Sequence, residues 1–546
     1  MARRKAIFQA SGFEILKPLL DSKKISGKNL LACPSTMRLG EIKIKSSIKS
    51  SYFIYYRGLK IYTRMDTTPL AAVFSELFYV PNDLTVRNVL LSVTSDKFQV
   101  LDTTSETQFD LEDIIGVSVE QFRSIRMKQS MPFEECDDNN SEDLLYALKI
   151  YFDNTPRFLS NINKKSLEYT CYTGNLKLAN TWRNVILNAA FNPLFKENAA
   201  SYAQPEDLPI YIKNLLVFIN PKSGKGASLE VWKKAKISLE RAGCTFTEVL
   251  TQHAQHAKEY IFKRDAAELK KFNGIVTVSG DGLPHEVING IMSRPDWEEI
   301  REIPIGSLPS GSGNAIVQCL LAKAKRKNTL EDACYLIAKG KTLRSDLTKI
   351  ERGDGQAVYS FLHFLWGIIS YVDFESEKCR FLGGLRFELY GALGVLKNTK
   401  YRAKITYSTT TTDLPALNQE IEGDEWKSLT DEFSYFNIHN LPYMAKDTLA
   451  APLADFDDGY NHFLALAGDK CTRKQMLKAW SHLYGTLFEN DKPKPETGLF
   501  FEKLKSFRVE PLGEFAGQHY SIDGEKYNVE KVQGKVIEKA IKFFSA

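Results

Sequence analysis

No two cysteines stand at CxxC spacing in this 546-residue sequence; its eight cysteines are scattered singly between Cys33 and Cys471. That excludes a zinc ribbon, argues against a disulfide framework and fits a reducing, cytoplasmic setting. Eight histidines occur without metal-ligand spacing. His285-Glu286 opens like a metalloprotease helix, but four residues on from His285 stands Asn289, so no protein metal site is expected. Long apolar runs are missing too. A bilayer-spanning helix needs about 20 consecutive apolar residues. The nearest approach, 359–372, is shorter, is broken by Ser360 and His363, and reads as a buried strand region or a pocket wall. The first twenty residues lack the apolar centre of a secretory signal and carry Glu14. Nor is one sign of charge in excess: the net charge is +5, and no nucleic-acid partner is expected.

What is present is unevenly distributed. The length exceeds one hydrophobic core and predicts two to four domains. Residues 1–65 form a basic, partly disordered arm, since the first 60 hold thirteen Lys/Arg against three Asp/Glu. Such an arm can in general bind anionic lipid or nucleic acid, or can simply be solvated. Between 66 and 195, short β-type runs at 77–80, 89–93, 98–101, 147–152 and 166–173 precede a helical stretch at 176–190. That helix carries Leu178, Trp182, Ile186 and Leu187 on one face. Strands closed by one Trp-bearing helix resemble a small pleckstrin-homology-like domain; a β domain with only a packing role fits the same pattern. Residues 196–211 read as a linker.

Residues 212–342 alternate strand and helix: 215–219, 245–250, 275–278 and 303–307 as strands, 227–242, 254–272, 284–293 and 313–321 as helices. This predicts an α/β domain whose parallel sheet is covered on both faces and binds ligand at the carboxyl ends of its strands. From 343 to 546 β-type runs dominate, 368–371 and 402–407 among them, predicting an antiparallel β-sandwich domain with an exposed loop at 408–430.

Three glycine-rich loops follow three of the parallel strands. The first is Asn220-Pro221-Lys222-Ser223-Gly224-Lys225-Gly226, the second Ser279-Gly280-Asp281-Gly282, and the third Ser310-Gly311-Ser312-Gly313-Asn314. Glycine lets backbone approach phosphate, and the helix after each loop offers free N–H groups. The first is not a Walker loop, because Gly226 follows Lys225. Neither of the others completes G-x-G-x-x-G, since His285 and Ile316 occupy the last position, which disfavours a dinucleotide-binding dehydrogenase.

Taken together, these loops resemble those of the diacylglycerol-kinase-type superfamily, and the details resemble the sphingosine kinases. Ser279 opens the second loop, His285-Glu286-Val287-Ile288-Asn289-Gly290 follows it, Val372-Asp373-Phe374-Glu375-Ser376-Glu377-Lys378 lies in the β region, and Asp523-Gly524-Glu525 sits near the end. The resemblance covers about 212–546. It implies an ATP-binding α/β domain at 212–342 and a β-rich lipid-binding domain at 343–546, with ATP and Mg²⁺ as cofactors. Asp281 then matches the general base that takes a proton from the lipid hydroxyl. Asn220, Pro221, Lys222, Thr251, Glu286, Gly311, Ser312, Gly313, Arg380, Arg386, Asp523, Gly524 and Glu525 match nucleotide-contacting positions. Ser279, Gly280, Asp281 and Gly282 match the substrate side, and Asp373 the carboxylate that recognises the sphingoid amine. Expected partners are a sphingoid base and a membrane surface, met peripherally from the cytoplasm through the N-terminal module and basic residues such as Lys43 and Lys45; a homodimer is allowed. A ceramide kinase would not need Asp373, since ceramide has no free amine. A non-catalytic lipid-binding scaffold would not need Asp281.

Overall fold

The computed structural model describes residues 44–46, 51–56, 59–64, 74–82, 85–93, 97–101, 106–123, 144–153, 168–173, 175–192, 195 and 207–545, except 312, 383–384, 483–487, 514 and 516–517. Most of the expected basic arm, Lys43 included, and most of the expected linker lie outside the described residues. The chain divides into two units, Met1–Tyr211 and Ile212–Ala546.

In the first unit, the strands Phe74–Asn82, Thr85–Val93, Lys97–Leu101 and Glu106–Asp110 form an antiparallel meander. Ile114–Arg123, Leu144–Phe152 and Glu168–Thr173 form a second, joined to the first where Glu168–Thr173 pairs with Phe74–Asn82. The helix Leu176–Phe191 begins where the Asn175 side chain accepts the Leu178 amide, and it buries Ala179, Trp182, Val185 and Ile186. Asn at that position supplies the cap that the free amides of the first turn need.

In the second unit, β1 (Lys213–Ile219), β2 (Cys244–Leu250), β3 (Gly274–Ser279) and β4 (Ile305–Pro309) are parallel, in the order β2-β1-β3-β4. β1 and β3 are buried nearly end to end, as strands covered on both faces must be. The helices are α1 (Ser228–Arg241), α2 (His256–Lys263), α3 (Gly282–Met292), α4 (Ala315–Lys323) and α5 (Leu330–Lys339). α1 turns Trp232, Ala235 and Leu239 inward, one stripe of an amphipathic helix. A fifth strand comes from the far end of the sequence. β15 (Val532–Ser545) pairs parallel with β4, Phe543 opposite Ile305.

β15 also pairs antiparallel with β5 (Lys341–Arg352) and β12 (Ser506–Pro511). From β12 the sheet continues through β8 (Tyr401–Ser408), β9 (Trp426–His439), β7 (His363–Gly367), β13 (His519–Ile522) and β14 (Glu525–Asn528). β6 (Ala357–Ser360) lies beside β5, β10 (Asn461–Ala467) beside β9, and β11 (Phe500–Leu504) beside β10. Phe364, Trp366, Phe436, Phe463, Phe507 and Tyr520 fill one core of this half. The last strand therefore belongs to both halves of the unit, across the division expected at 342/343.

Two local expectations change. Residues 368–371 read as a β-type run, yet they open the helix α6 (Ile368–Glu375). Gly367 ends β7 at φ +81°, and a Cβ there would lie 2.6 Å from the Ser434 carbonyl oxygen. Only glycine turns the chain out of the sheet so close to its neighbour, and Ile368, Ile369 and Val372 then bury one helix face. The single helix expected at 254–272 is two, α2 and a short turn at Ala266–Leu269, because Arg264 and Asp265 are extended.

Phe543 is fully buried where the two halves meet, against the rings of Phe361 and Phe456. Phe543→Ala is expected to cost about 3–5 kcal/mol, seen as a lowered melting temperature of the second unit. A melting curve that does not move would show that the Phe543 ring does not hold the two halves together.

Candidate active site

The strand order reverses around β1 and β3, so the crevice of this sheet opens at their carboxyl ends. There the three glycine loops converge. Ser228, at the start of α1 after the first loop, shares a 3.1 Å hydroxyl contact with Ser310 of the third. The second and third loops touch backbone to backbone: a Cβ on Gly311 would sit 2.3 Å from Gly280 Cα. Within the first loop, the Asn220 side chain accepts the Lys222 amide at 3.0 Å, Pro221 is half-buried and Lys222 is exposed. Thr251 is buried at the end of β2 and tied to the Ile219 carbonyl. Ser279 donates to the Gly280 carbonyl. Ser312 lies outside the described residues.

Asp281 joins the second loop to the third. Its Oδ2 accepts the amides of Asn314 (2.7 Å) and Ala315 (2.9 Å), and its Oδ1 accepts that of Ile316 (3.1 Å). It thus caps α4 from another strand, where free amides and the helix dipole favour negative charge. Gly313 makes the room, since a Cβ there would lie 2.6 Å from Oδ2. Burial pushes the carboxyl up to about 6 against the pull of the Ala315 and Ile316 amides, with the Asp523 charge adding to the rise. Glu286 repeats the device: its carboxylate accepts the Ala257 amide at the start of α2 at 3.0 Å, and burial raises its pKa.

Asp523 ties the two halves together beside this group of loops. Its carboxylate accepts His285 Nδ1 of α3 (2.9 Å), Ser360 Oγ (2.7 Å) and the amides of Phe361, Leu362 and His363 (2.9–3.0 Å). Burial raises its pKa, but the His285 hydrogen bond and charge outweigh that and hold it below the usual carboxylate range. Its side chain therefore points into protein, and the outer part of the turn is Gly524, exposed, and Glu525, whose Oε1 lies beside Gly282.

Asp373, on α6, accepts Ser521 Oγ of β13 at 2.6 Å. Burial pushes its carboxyl up to about 6; the Ser521 hydroxyl and the Arg386 charge oppose the rise, and the charges of Glu377 and Glu525 add to it. Arg386 is buried at the start of α7 (Leu385–Lys397) and pairs with Glu377 at 2.8 Å. The Arg380 backbone lies in the short turn Ser376–Leu382, and its side chain is outside the described residues. So Asp281, Gly282, Glu525, Asp523 and His285 form one contiguous group, with Asp373, Ser521, Glu377 and Arg386 beside it. Sequence reasoning missed Ser521 and His285. Ser521 stands two residues before the Asp-Gly-Glu turn, and His285 entered only as half of a zinc motif and as part of the matched segment 285–290, with no role of its own.

A family model, the diacylglycerol kinase catalytic domain, matches residues 214–350. Fold and loops together define a catalytic unit of that type. The chain is 31% identical to sphingosine kinase 1 of Homo sapiens over 352 residues, which covers 59% of this chain and 88% of that protein. It is 30% identical to sphingosine kinase 1 of Arabidopsis thaliana over 324 residues, 55% of this chain and 64% of that one. Its match there spans just under two thirds of that relative's length. Sphingoid long chain base kinase 4 of Schizosaccharomyces pombe is 29% identical over 351 residues, 60% of this chain and 74% of its own. A crystal structure of a diacylglycerol kinase from Bacillus anthracis aligns with 61% of this chain and 97% of its own, at 17% identity and a TM-score of 0.42. The chain belongs to the sphingosine kinase family.

Asp523→Ala leaves five buried donors without their acceptor. A loss of about 3 kcal/mol or more is expected, measured by chemical denaturation at neutral pH. Because the folded-state pKa is depressed, this contribution is present above the unfolded value and fades as pH falls through the folded one. A variant as stable as wild type at pH 7 would contradict the role given to Asp523.

Proposed function

We propose that this chain transfers the γ-phosphoryl group of ATP to the primary hydroxyl of sphingosine and related sphingoid bases. The observation that carries the reading is two carboxylates, each raised by burial, on either side of the Asp523 junction: Asp281 where the three glycine loops meet, and Asp373 on α6. A carboxylate has about four acceptor sites; three on Asp281 are used by amides, which leaves one for a substrate hydroxyl. With a pKa of about 6, Asp281 is mostly ionised at pH 7 and basic enough to take a proton. Phosphoryl transfer otherwise needs positioning and charge stabilisation. Loop amides, Asn220, Lys222, Thr251, Gly311, Gly313, Arg386, Gly524 and Glu525 are suited to hold the nucleotide. Asp523 and Glu286 act from behind, through the elements they tie down. Asp373, pinned by Ser521 and backed by Ile368, Ile369 and Val372, suits an ammonium joined to an alkyl chain.

Among the described residues, no group of three or more His, Cys, Asp or Glu could hold a metal ion. Mg²⁺ keeps several waters and takes oxygens from ATP, and its chemistry there would be to neutralise phosphate charge. Glu525, beside Gly282, is the carboxylate that would meet it.

Membrane docking is part of the same proposal. Leu385, Leu389, Leu393 and Leu396 share one face of α7 and are 70%, 46%, 38% and 64% exposed. Four leucines in a solvent-facing stripe suit the interfacial layer of a bilayer. The strand order and closing helix of the first unit favour a pleckstrin-homology-like module as a second contact.

Purified protein with labelled ATP and Mg²⁺ should label sphingosine, but not ceramide or diacylglycerol. Asp281→Asn should lower kcat by at least about a hundredfold while ATP still binds. Asp373→Asn should mainly raise KM for the base. Both groups take up protons as pH falls through about 6, so kcat/KM should drop below that pH. Label on ceramide would overturn the role of Asp373; full activity in Asp281→Asn would overturn that of Asp281. For the membrane contact, Leu389→Glu with Leu396→Glu should weaken sedimentation with anionic vesicles several-fold while activity on micellar substrate persists. Unchanged sedimentation would remove α7 from the docking surface.

A further inference from the structure

β9 lies between β7 and β10, and alternate residues along it face the same way. Tyr435, Asn437 and His439 are three such residues, at 2%, 0% and 0% exposure. Their neighbours in the sheet are mostly apolar. Asn437 stands between Leu365 and Leu464, and Tyr435 between Gly367 and Leu466; His439 stands between His363 and His462. Over this face pack Ile368, Ile369 and Val372 of α6, together with Ala450, Ala451 and Ala454. Yet both ring nitrogens of His439, Nδ1 of His363 and Nδ1 of His462 have no hydrogen-bond partner, and the Tyr435 hydroxyl and the Asn437 amide have none beyond each other.

Each buried polar group left unpaired costs about 1–3 kcal/mol, and folded proteins keep few of them. Here they line up on one wall. That wall adjoins the lipid side of the active site. Leu365 pairs with Asn437 on one side and with Ser521 on the other, and Ser521 holds Asp373. Asn437 and Ser521 are thus two strands apart on one face of the sheet, about 10 Å between backbones, with Leu365 between them. A primary hydroxyl, an amine and an alkyl chain would leave these groups unused. Amide, phenol and neutral imidazole both donate and accept without charge, which suits a hydroxyl rather than a phosphate or carboxylate. Burial and the flanking His363 and His462 hold the His439 imidazole neutral.

We infer that this wall binds a further hydroxyl of the lipid, so that the substrate best matched to the chain is a sphingoid base carrying an extra hydroxyl within the first few carbons beyond the amine. The inference rests on the sphingoid-base reading above and adds a specificity site to it.

The test compares kcat/KM of the full chain for 4-hydroxysphinganine and for sphinganine in the same mixed micelles. Wild type should favour the hydroxylated base by about tenfold or more. In Asn437→Leu and in the near-isosteric Tyr435→Phe, that ratio should fall toward one, and Asn437→Leu should also melt higher, since leucine suits the site between Leu365 and Leu464. A wild-type ratio near one would mean that the wall holds only ordered water, and would overturn the inference while leaving the kinase reading intact. A ratio preserved in both variants would overturn it as well. Label on neither base would defeat the underlying reading and the inference together.

Discussion

The arrangement of the second unit depends on one buried carboxylate. Asp523 accepts His285 from α3 on one side and Ser360 with the backbone of 361–363 on the other. A charge with five donors is a strong and directional joint. It fixes where the sheet that carries the glycine loops meets the sheet on which Asp373 is held by Ser521. Asp281 stands a few residues before His285 and Ser521 two residues before Asp523, so one joint sets the reach from Asp281 to Asp373. β15 gives the same junction a backbone, since it is hydrogen-bonded into both halves.

Carboxylates do the positioning throughout this site, and each is balanced differently. Asp523 is saturated by donors and stays ionised well inside the protein. Asp281 and Glu286 each cap a helix from another element. Capping stabilises the negative charge, and burial works against it; for Asp281 the balance comes out near 6. Asp373 has one hydroxyl and is held at a similar value. A group near 6 is ionised at neutral pH but retains basicity, and an incoming cation or proton relieves the cost of burying its charge. The strained carboxylates are those facing the cleft, and the relaxed one holds the frame.

Much of this was legible in the residues. The alternation of apolar runs from 212 onward marked the parallel sheet, because strands covered on both faces need continuous apolar sequence. The three loops were legible because glycine, phosphate-sized space and a following helix leave a short local signature. Asp281 and Asp373 were legible only through resemblance, since a lone Asp in a turn carries no signal. Residues 368–371 misled because Ile-Ile-Ser-Tyr suits a strand, and it is the positive φ of Gly367, close against Ser434, that turns the chain out of the sheet before the helix.

By itself, then, the sequence determined the class of fold, the order of its elements and the three phosphate-ready loops, all of which arise from periodicity and local backbone chemistry. Tertiary structure alone decided that the last strand completes the first sheet, that Asp281 caps α4, that Asp523 faces inward rather than toward a ligand, and that Tyr435, Asn437 and His439 are buried with no partner outside their own wall. Each of these depends on which residues meet across long sequence separations. No local pattern encodes such a meeting, because burial and hydrogen bonding are properties of the packed chain.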